Sequence, residues 1–205
     1  MKQLCIIGAG GHGKVVAEIA ELQNKYDAIF FLDDANVEWC GEYRVVGTVS
    51  EYIKHVKTCD FVVAIGNNEN RKKIIEQLLK ANAVFPTLIH PCSTVSKSAK
   101  IELGCVVMAG AIVNADARIG RGTILNTCCS VDHDNNIGKY CHISVGAHLA
   151  GTVEVGDCAF IGAGATVKNN VTICTNAIVG AGAVVLRDIT ESGTYIGVPA
   201  KKMKA

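Results

Sequence analysis

From Val95 to Val185 every sixth residue is Val, Ile or Leu, sixteen times without a miss. Neither an α-helix nor an ordinary strand has a period of six. A short fixed repeat marks a solenoid, in which each unit buries its apolar side chain against the units above and below. Two residues before the aliphatic stands a small residue in almost every unit, as at Ala99, Cys105, Ala111 and Ala117, with Val153 and Val171 the exceptions. Glycine often follows the aliphatic, at Gly120, Gly138, Gly156, Gly162 and Gly180. That placement suggests tight bends needing positive φ. Each hexad therefore reads as one short strand and one turn, three hexads as one triangular coil, and the whole run as about five coils.

This repeat resembles that of the left-handed β-helix acyltransferases, and the handedness is implied by that resemblance rather than by the period. The run is unbroken, so no long loop is expected to leave the coil.

With 205 residues and a net charge of +1, the chain has room for one large or two small domains, and no basic block suggests nucleic acid or an anionic membrane. The ten cysteines are scattered without a metal-type pair, and several occupy the small position of the repeat, where they read as apolar fillers in a reducing cytoplasm. The opening MKQLCIIGAGGHG reads as a buried strand running into glycines rather than a signal peptide, and no apolar run approaches a membrane span.

Residues 1–88 lack the hexad period and read as a separate Rossmann-like α/β domain, leaving 89–205 as the β-helix with a C-terminal tail. Strands are expected at Leu4–Ile7, Ala28–Leu32, Phe61–Ile65 and near Val84–Ile89, with helices over Lys14–Leu22 and Asn70–Ala81. Alternation of strand and helix implies a parallel sheet, whose ligands bind at the carboxyl ends of its strands. Gly10-Gly11-His12, Asp33-Asp34 and Gly66-Asn67-Asn68 all fall at such ends. Gly8, Gly10 and Gly13 also satisfy G-x-G-x-x-G, which taken alone predicts NAD. The domain is half the size of a full dinucleotide fold, and glycines at a helix N-terminus serve a nucleotide-sugar diphosphate equally well.

Of six histidines, His133 is followed by Asp134 on a coil corner, a pairing suited to general-base work because the carboxylate orients the imidazole and favours its protonated form. Activity is expected to titrate near the ordinary imidazole value of about 6.5. His142 and His148 lie within one coil of it, six residues apart. Three histidines could form a zinc site, as in β-helical carbonic anhydrases, but that interval places two of them on different faces, so no metal is expected. Cys129 and Cys141 fall at the packing position, against acyl-cysteine chemistry.

GAGGHGKVV, a strand ending LDD, AIGNNENRKK, NTCCSVDHD, CHISVGAH and IGVPAKKM follow one another along the chain. Together they resemble the bacterial nucleotide-sugar N-acetyltransferases of the PglD and NeuD type. The resemblance implies His133 as general base and Asp134 as the acidic residue that raises its basicity, with Asp standing where the bacillosamine enzymes carry Glu. It implies that His142, Ala163 and Ala181 contact acetyl-CoA, and that Gly10, Gly11, His12, Asp33, Asp34 and Gly66 form the nucleotide-sugar pocket. The activity implied is acetyl transfer from acetyl-CoA to the 4-amino group of a UDP-4-amino-4,6-dideoxy sugar, by a homotrimer with sites between adjacent helices. Sialic acid O-acetylation, a dTDP- or GDP-linked amino sugar, and a scaffold with a vestigial solenoid are the alternatives.

Overall fold

The computed structural model describes residues 2–35 and 37–203. The chain divides into two compact units, Met1–Pro91 and Cys92–Ala205.

The first unit is built on a three-stranded parallel sheet of β1 (Gln3–Ile7), β2 (Ala28–Leu32) and β5 (Cys59–Val63) in the order β2-β1-β5. Its strands are nearly continuous aliphatic and aromatic runs because both faces are covered, and Leu4, Ile6, Phe31, Phe61 and Val62 are fully buried. α1 (Gly11–Leu22) buries Val16, Ala17, Ile19 and Ala20, a stripe at helical spacing. It begins three residues earlier than expected, inside the glycine loop. α2 (Asn68–Lys80) buries Arg71, Ile75 and Leu78 at the same spacing, and the Asn67 side chain caps it by accepting from the Asn70 amide at 2.9 Å.

Three features differ from expectation. A hairpin of β3 (Trp39–Cys40) and β4 (Tyr43–Arg44), with a 3₁₀ helix over Val49–Lys54, fills a stretch with no clear period. The strand expected near Val84–Ile89 is an isolated bridge, Asp60 to Val84, and then β6 (Leu88–Ile89). Pro86 between them has no amide to donate to a ladder.

The second unit is a three-faced parallel β-helix of sixteen short strands, β7 (Thr94–Val95) to β22 (Val184–Val185). Strands pair eighteen residues apart: Val113 with Val131, Val131 with Leu149, Leu149 with Val167. From Val107 to Val185 each aliphatic of the repeat is at most 3% exposed, whereas Val95 and Ile101, on the first rung, are only half-buried. From Cys105 onward the small positions are buried too. Thr123 donates to the Gly138 carbonyl at 2.9 Å, and Asn135 donates to the Leu149 carbonyl at 3.5 Å, so the polar members satisfy themselves inside the coil. None of the ten cysteines, all among the described residues, is joined in a disulfide. A C-terminal tail adds β23 (Gly193–Ile196) beside β21 (Ala177–Val179) and turns back as β24 (Lys201–Lys202).

The glycines after the aliphatic do not serve as expected. None of Gly120, Gly138, Gly156, Gly162 or Gly180 has positive φ. The left-handed residue lies three places after the aliphatic, at Gly104, Gly110, Asp116, Gly122, Cys128, Asp134 and Tyr140 in turn. The earlier glycines answer to stacking instead. A Cβ on Gly138 would stand 2.7 Å from the Asp157 amide nitrogen, and one on Gly156 would stand 2.4 Å from that of Thr175. Successive coils approach too closely there for any side chain.

Candidate active site

In the first unit β1 is central, so the loops after β1, β2 and β5 are neighbours at one end of the sheet. They are tied together directly. The Asp33 carboxylate accepts from the Ala9 amide at 2.6 Å and from the Ala35 amide at 2.7 Å. Asp34 accepts from the Val49 amide at 2.9 Å through one oxygen. Asp33 is thus an organiser of the glycine loop, while Asp34 is exposed.

The glycines of this crevice sort into two kinds. At Gly8, whose φ is +106°, a Cβ would stand 2.9 Å from the Ala64 carbonyl oxygen, and at Gly13 one would stand 2.2 Å from that of Gly8. Those two let strand, loop and helix pack. A Cβ on Gly10, Gly11 or Gly66 would meet nothing within 4 Å, and none of the three has positive φ. Their bareness keeps the backbone approachable. Gly10 is the N-cap of α1 and provides no side-chain cap, so the first-turn amides, with half-buried His12 among them, face the open end of the sheet.

Arg71 was not legible as part of this site. Its guanidinium is buried and donates to the carbonyls of Ile65 at 2.8 Å and Gly66 at 3.2 Å and to the Asn68 side chain at 2.8 Å. It holds the whole loop that carries Gly66. The signal was its place on the 71–75–78 stripe, obscured by Lys72 and Lys73 beside it.

In the second unit His133 and Asp134 occupy the corner after β13 (Ser130–Val131). His133 Nδ1 lies 2.8 Å from Asp134 Oδ2, and both side chains are more than half exposed. The hydrogen bond to Asp134 raises the His133 pKa above its ordinary value, with the charge of Asp132 adding to it. Asp132 is fixed by Asn114 of the preceding coil at 2.8 Å and accepts from the His133 amide at 2.8 Å; these bonds hold its own carboxyl below the usual range. With Nδ1–H donated to Asp134, Nε2 carries the basic lone pair.

His142, on β15 (His142–Ile143), is buried, packs edge-on against Phe160 and lies 3.0 Å from the Asn126 amide nitrogen. Asn126 is a further polar group that the hexad pattern did not single out. Ala163 and Ala181 are exposed and stacked one coil apart, with the Gly182 amide donating to the Ala163 carbonyl. His148 pairs with Ser130 on another face at 2.9 Å. The corner of His133 leads out of the face of β13 and β16 (His148–Leu149), whereas the corner of Ala163 and Ala181 leads into it. Within one chain, then, the coil places His133 and the alanines at opposite edges of a face. No three His, Cys, Asp or Glu side chains among the described residues come together as a metal site. Burial pushes the Cys129 thiol up to about 12, unsuited to a nucleophile.

Residues 3–78 match the model of the PglD N-terminal domain. The chain is 42% identical over 116 residues to the UDP-N-acetylbacillosamine N-acetyltransferase of Bacillus subtilis (strain 168), a match spanning 53% of this chain and only about half, 52%, of that protein. The acetyltransferase domain of PglB from Neisseria gonorrhoeae FA1090 superposes with a TM-score of 0.95 at 42% identity, covering 98% of this chain and 99% of that one. The chain belongs to the PglD family of hexapeptide-repeat nucleotide-sugar N-acetyltransferases. The same PglB domain has been solved with acetyl coenzyme A. The family likeness extends to the GDP-perosamine N-acetyl transferase of Caulobacter crescentus, solved as a histidine-to-alanine variant with CoA and GDP-perosamine, at TM-score 0.95 and 38% identity over 99% of this chain and 97% of that one. The fold is accordingly the family's α/β domain followed by a left-handed parallel β-helix. No helix among the described residues is long and apolar enough to cross a membrane.

Proposed function

We propose that this PglD-family protein transfers an acetyl group from acetyl-CoA to the 4-amino group of a UDP-linked 4-amino-4,6-dideoxy sugar. The observation that carries the reading is an exposed imidazole whose Nδ1 is held at 2.8 Å by a carboxylate, so that the basic lone pair is on Nε2. The amine nitrogen attacks the thioester carbonyl, Nε2 of His133 takes the amine proton, the C–S bond breaks, and coenzyme A leaves as thiolate to be reprotonated. Holding two substrates side by side supplies much of the rate. His142, with Asn126, and the exposed backbone at Ala163 and Ala181 are the proposed acetyl-CoA contacts.

The nucleotide diphosphate goes to the uncapped N-terminus of α1, where bare Gly10 and Gly11 let it reach the amides, with His12 beside it. Gly66 forms the opposite wall, and exposed Asp34 accepts from ribose or base. The Caulobacter relative, named for GDP-perosamine and matched over almost the whole chain, favours a GDP-linked acceptor as the second reading.

The active assembly is proposed to be a homotrimer. Its support is that His133 and the alanine corner stand at opposite edges of one face, so a neighbouring copy is needed to bring both kinds of group to one substrate. Exposed Ile112 and Val145 offer it apolar surface. A cytoplasmic site of action fits acetyl-CoA as donor. Thiol release from acetyl-CoA, followed with a chromogenic reagent against UDP-, GDP- and dTDP-linked 4-amino sugars and free sialic acid, tests the reading. Release dependent on a UDP-linked amine supports it, and release with sialic acid alone would sink it.

A further inference from the structure

The turn one coil beyond His133 holds a glycine that no backbone requirement explains. Gly151 has φ outside the left-handed region, so alanine could adopt its conformation. It is nonetheless buried, and what buries it is the imidazole. A Cβ built on Gly151 would stand 2.5 Å from Cε1 and 2.5 Å from Nε2 of His133, and 3.2 Å from Cδ2. No backbone atom is among those nearest contacts, unlike at Gly138 and Gly156, where the obstacle is the next coil itself. The two turns are locked in height, because the Thr152 amide donates to the His133 carbonyl at 2.9 Å and Asn114 and Asp132 fix the other side of the His133 turn.

We propose that Gly151 is a positioning residue for the base: its missing side chain is the seat on which the His133 ring lies while Nδ1 reaches Asp134. The inference rests on His133 acting as the base. Any Cβ at 151 must be accommodated by the ring, which is the free end of a half-exposed side chain, and not by the coil. The ring then swings away, the bond to Asp134 is lost, and Nε2 leaves the place from which it meets the amine. Displacements of this size at a reacting group cost on the order of 10²-fold in rate.

The test is Gly151→Ala in the full chain, alone and combined with His133→Ala. Five quantities are read: kcat, both KM values, the thermal midpoint, and the His133 pKa by NMR titration without substrates. Alanine keeps the peptide N–H at 151, so a loss cannot come from a missing backbone donor. The expected result is kcat lower on the order of 10²-fold, both KM values and the thermal midpoint unchanged, and a His133 pKa moved down toward the ordinary imidazole value. In the His133→Ala background the glycine substitution should then cost nothing more. An unmoved kcat and pKa would overturn the proposal. So would a thermal midpoint that falls as far as in Gly156→Ala, since the clash would then lie in the coil. An equal loss in both backgrounds would show that Gly151 acts independently of the ring. The titration reads the ring's seat without activity, so full activity in His133→Ala would remove the base assignment separately.

Discussion

His133 Nδ1 and Asp134 Oδ2 lie 2.8 Å apart although the residues are consecutive in the chain. Neighbours in an extended strand point in opposite directions. Here Asp134 has φ +59°, and that left-handed turn folds its carboxylate back onto the ring that precedes it. Aspartate tolerates this conformation better than most residues. The short aspartate side chain spans the gap because the backbone closes it.

Replacing His133 by alanine should lower kcat by about 10²–10⁴-fold, the usual contribution of a positioned base. Folding should be intact, because the side chain is 57% exposed. The comparison belongs at high pH, where the substrate amine is neutral in both enzymes. A variant within about threefold of wild type there would make His133 a bystander.

The pH profile should carry the sign of the Asp134 bond. The bond raises the His133 pKa, and a base works only when neutral. The acid limb of kcat/KM should therefore lie above the ordinary imidazole value of about 6.5, not at it. In Asp134→Ala the limb should move to lower pH while the plateau falls through lost orientation. For stability the sign is opposite: a raised pKa stabilises the fold below the unfolded-state value, and that contribution is lost as pH rises through the folded one. Since the ring is solvent-exposed, thermal midpoints should be nearly flat there, and a steep dependence between pH 6 and 8 would contradict this.

The two strand-end carboxylates should separate kinetically. Asp34→Ala should raise KM for the nucleotide sugar and leave KM for acetyl-CoA unchanged. Asp33→Ala should do this too and also lower the thermal midpoint, because Asp33 ties the Ala9 and Ala35 amides. Arg71→Met should resemble Asp33→Ala, since it releases the carbonyls of Ile65 and Gly66. A tight complex with NAD in calorimetry would redirect the whole crevice.

In the coil, Gly156→Ala places a Cβ 2.4 Å from the Thr175 amide nitrogen, which cannot move without its rung. Overpacking of this kind typically costs about 1–3 kcal/mol. Ile161→Ala, at a fully buried rung position, should cost about 2–5 kcal/mol. Denaturant melts of both, beside a surface control such as Glu154→Ala, check the ranking.

Light scattering at micromolar concentration should give the mass of three chains. A monomer that retains full activity would remove the need for a second copy at the site.

The solenoid was legible because its physics is local and repeated. A coil that returns every eighteen residues must bury the same three positions each time, so Val107 to Val185 declare the fold in one dimension. The strand ends of the first unit were legible for a like reason, since aliphatic runs stop where a parallel sheet meets solvent. The role of the glycines was misread: sequence shows that a side chain is missing but not whether a torsion or a neighbouring coil excludes it. Gly138, one place after Ile137, faces the backbone of the next coil, whereas Gly151, two places after Leu149, faces an imidazole. Arg71 was hidden for a related reason, because a charge among lysines reads as surface until packing turns it inward onto three acceptors. The hexad and strand periods pointed to a β-helix after an α/β domain and to the strand-end clusters, while the handedness and the parts given to His142, Ala163 and Ala181 came only with the family resemblance. Which amide Asp33 holds, where the Asp134 carboxylate comes to rest and what lies on Gly151 were decided only by tertiary structure, since the spacing of a repeat says which turns stack but not which side chain fills the space between them.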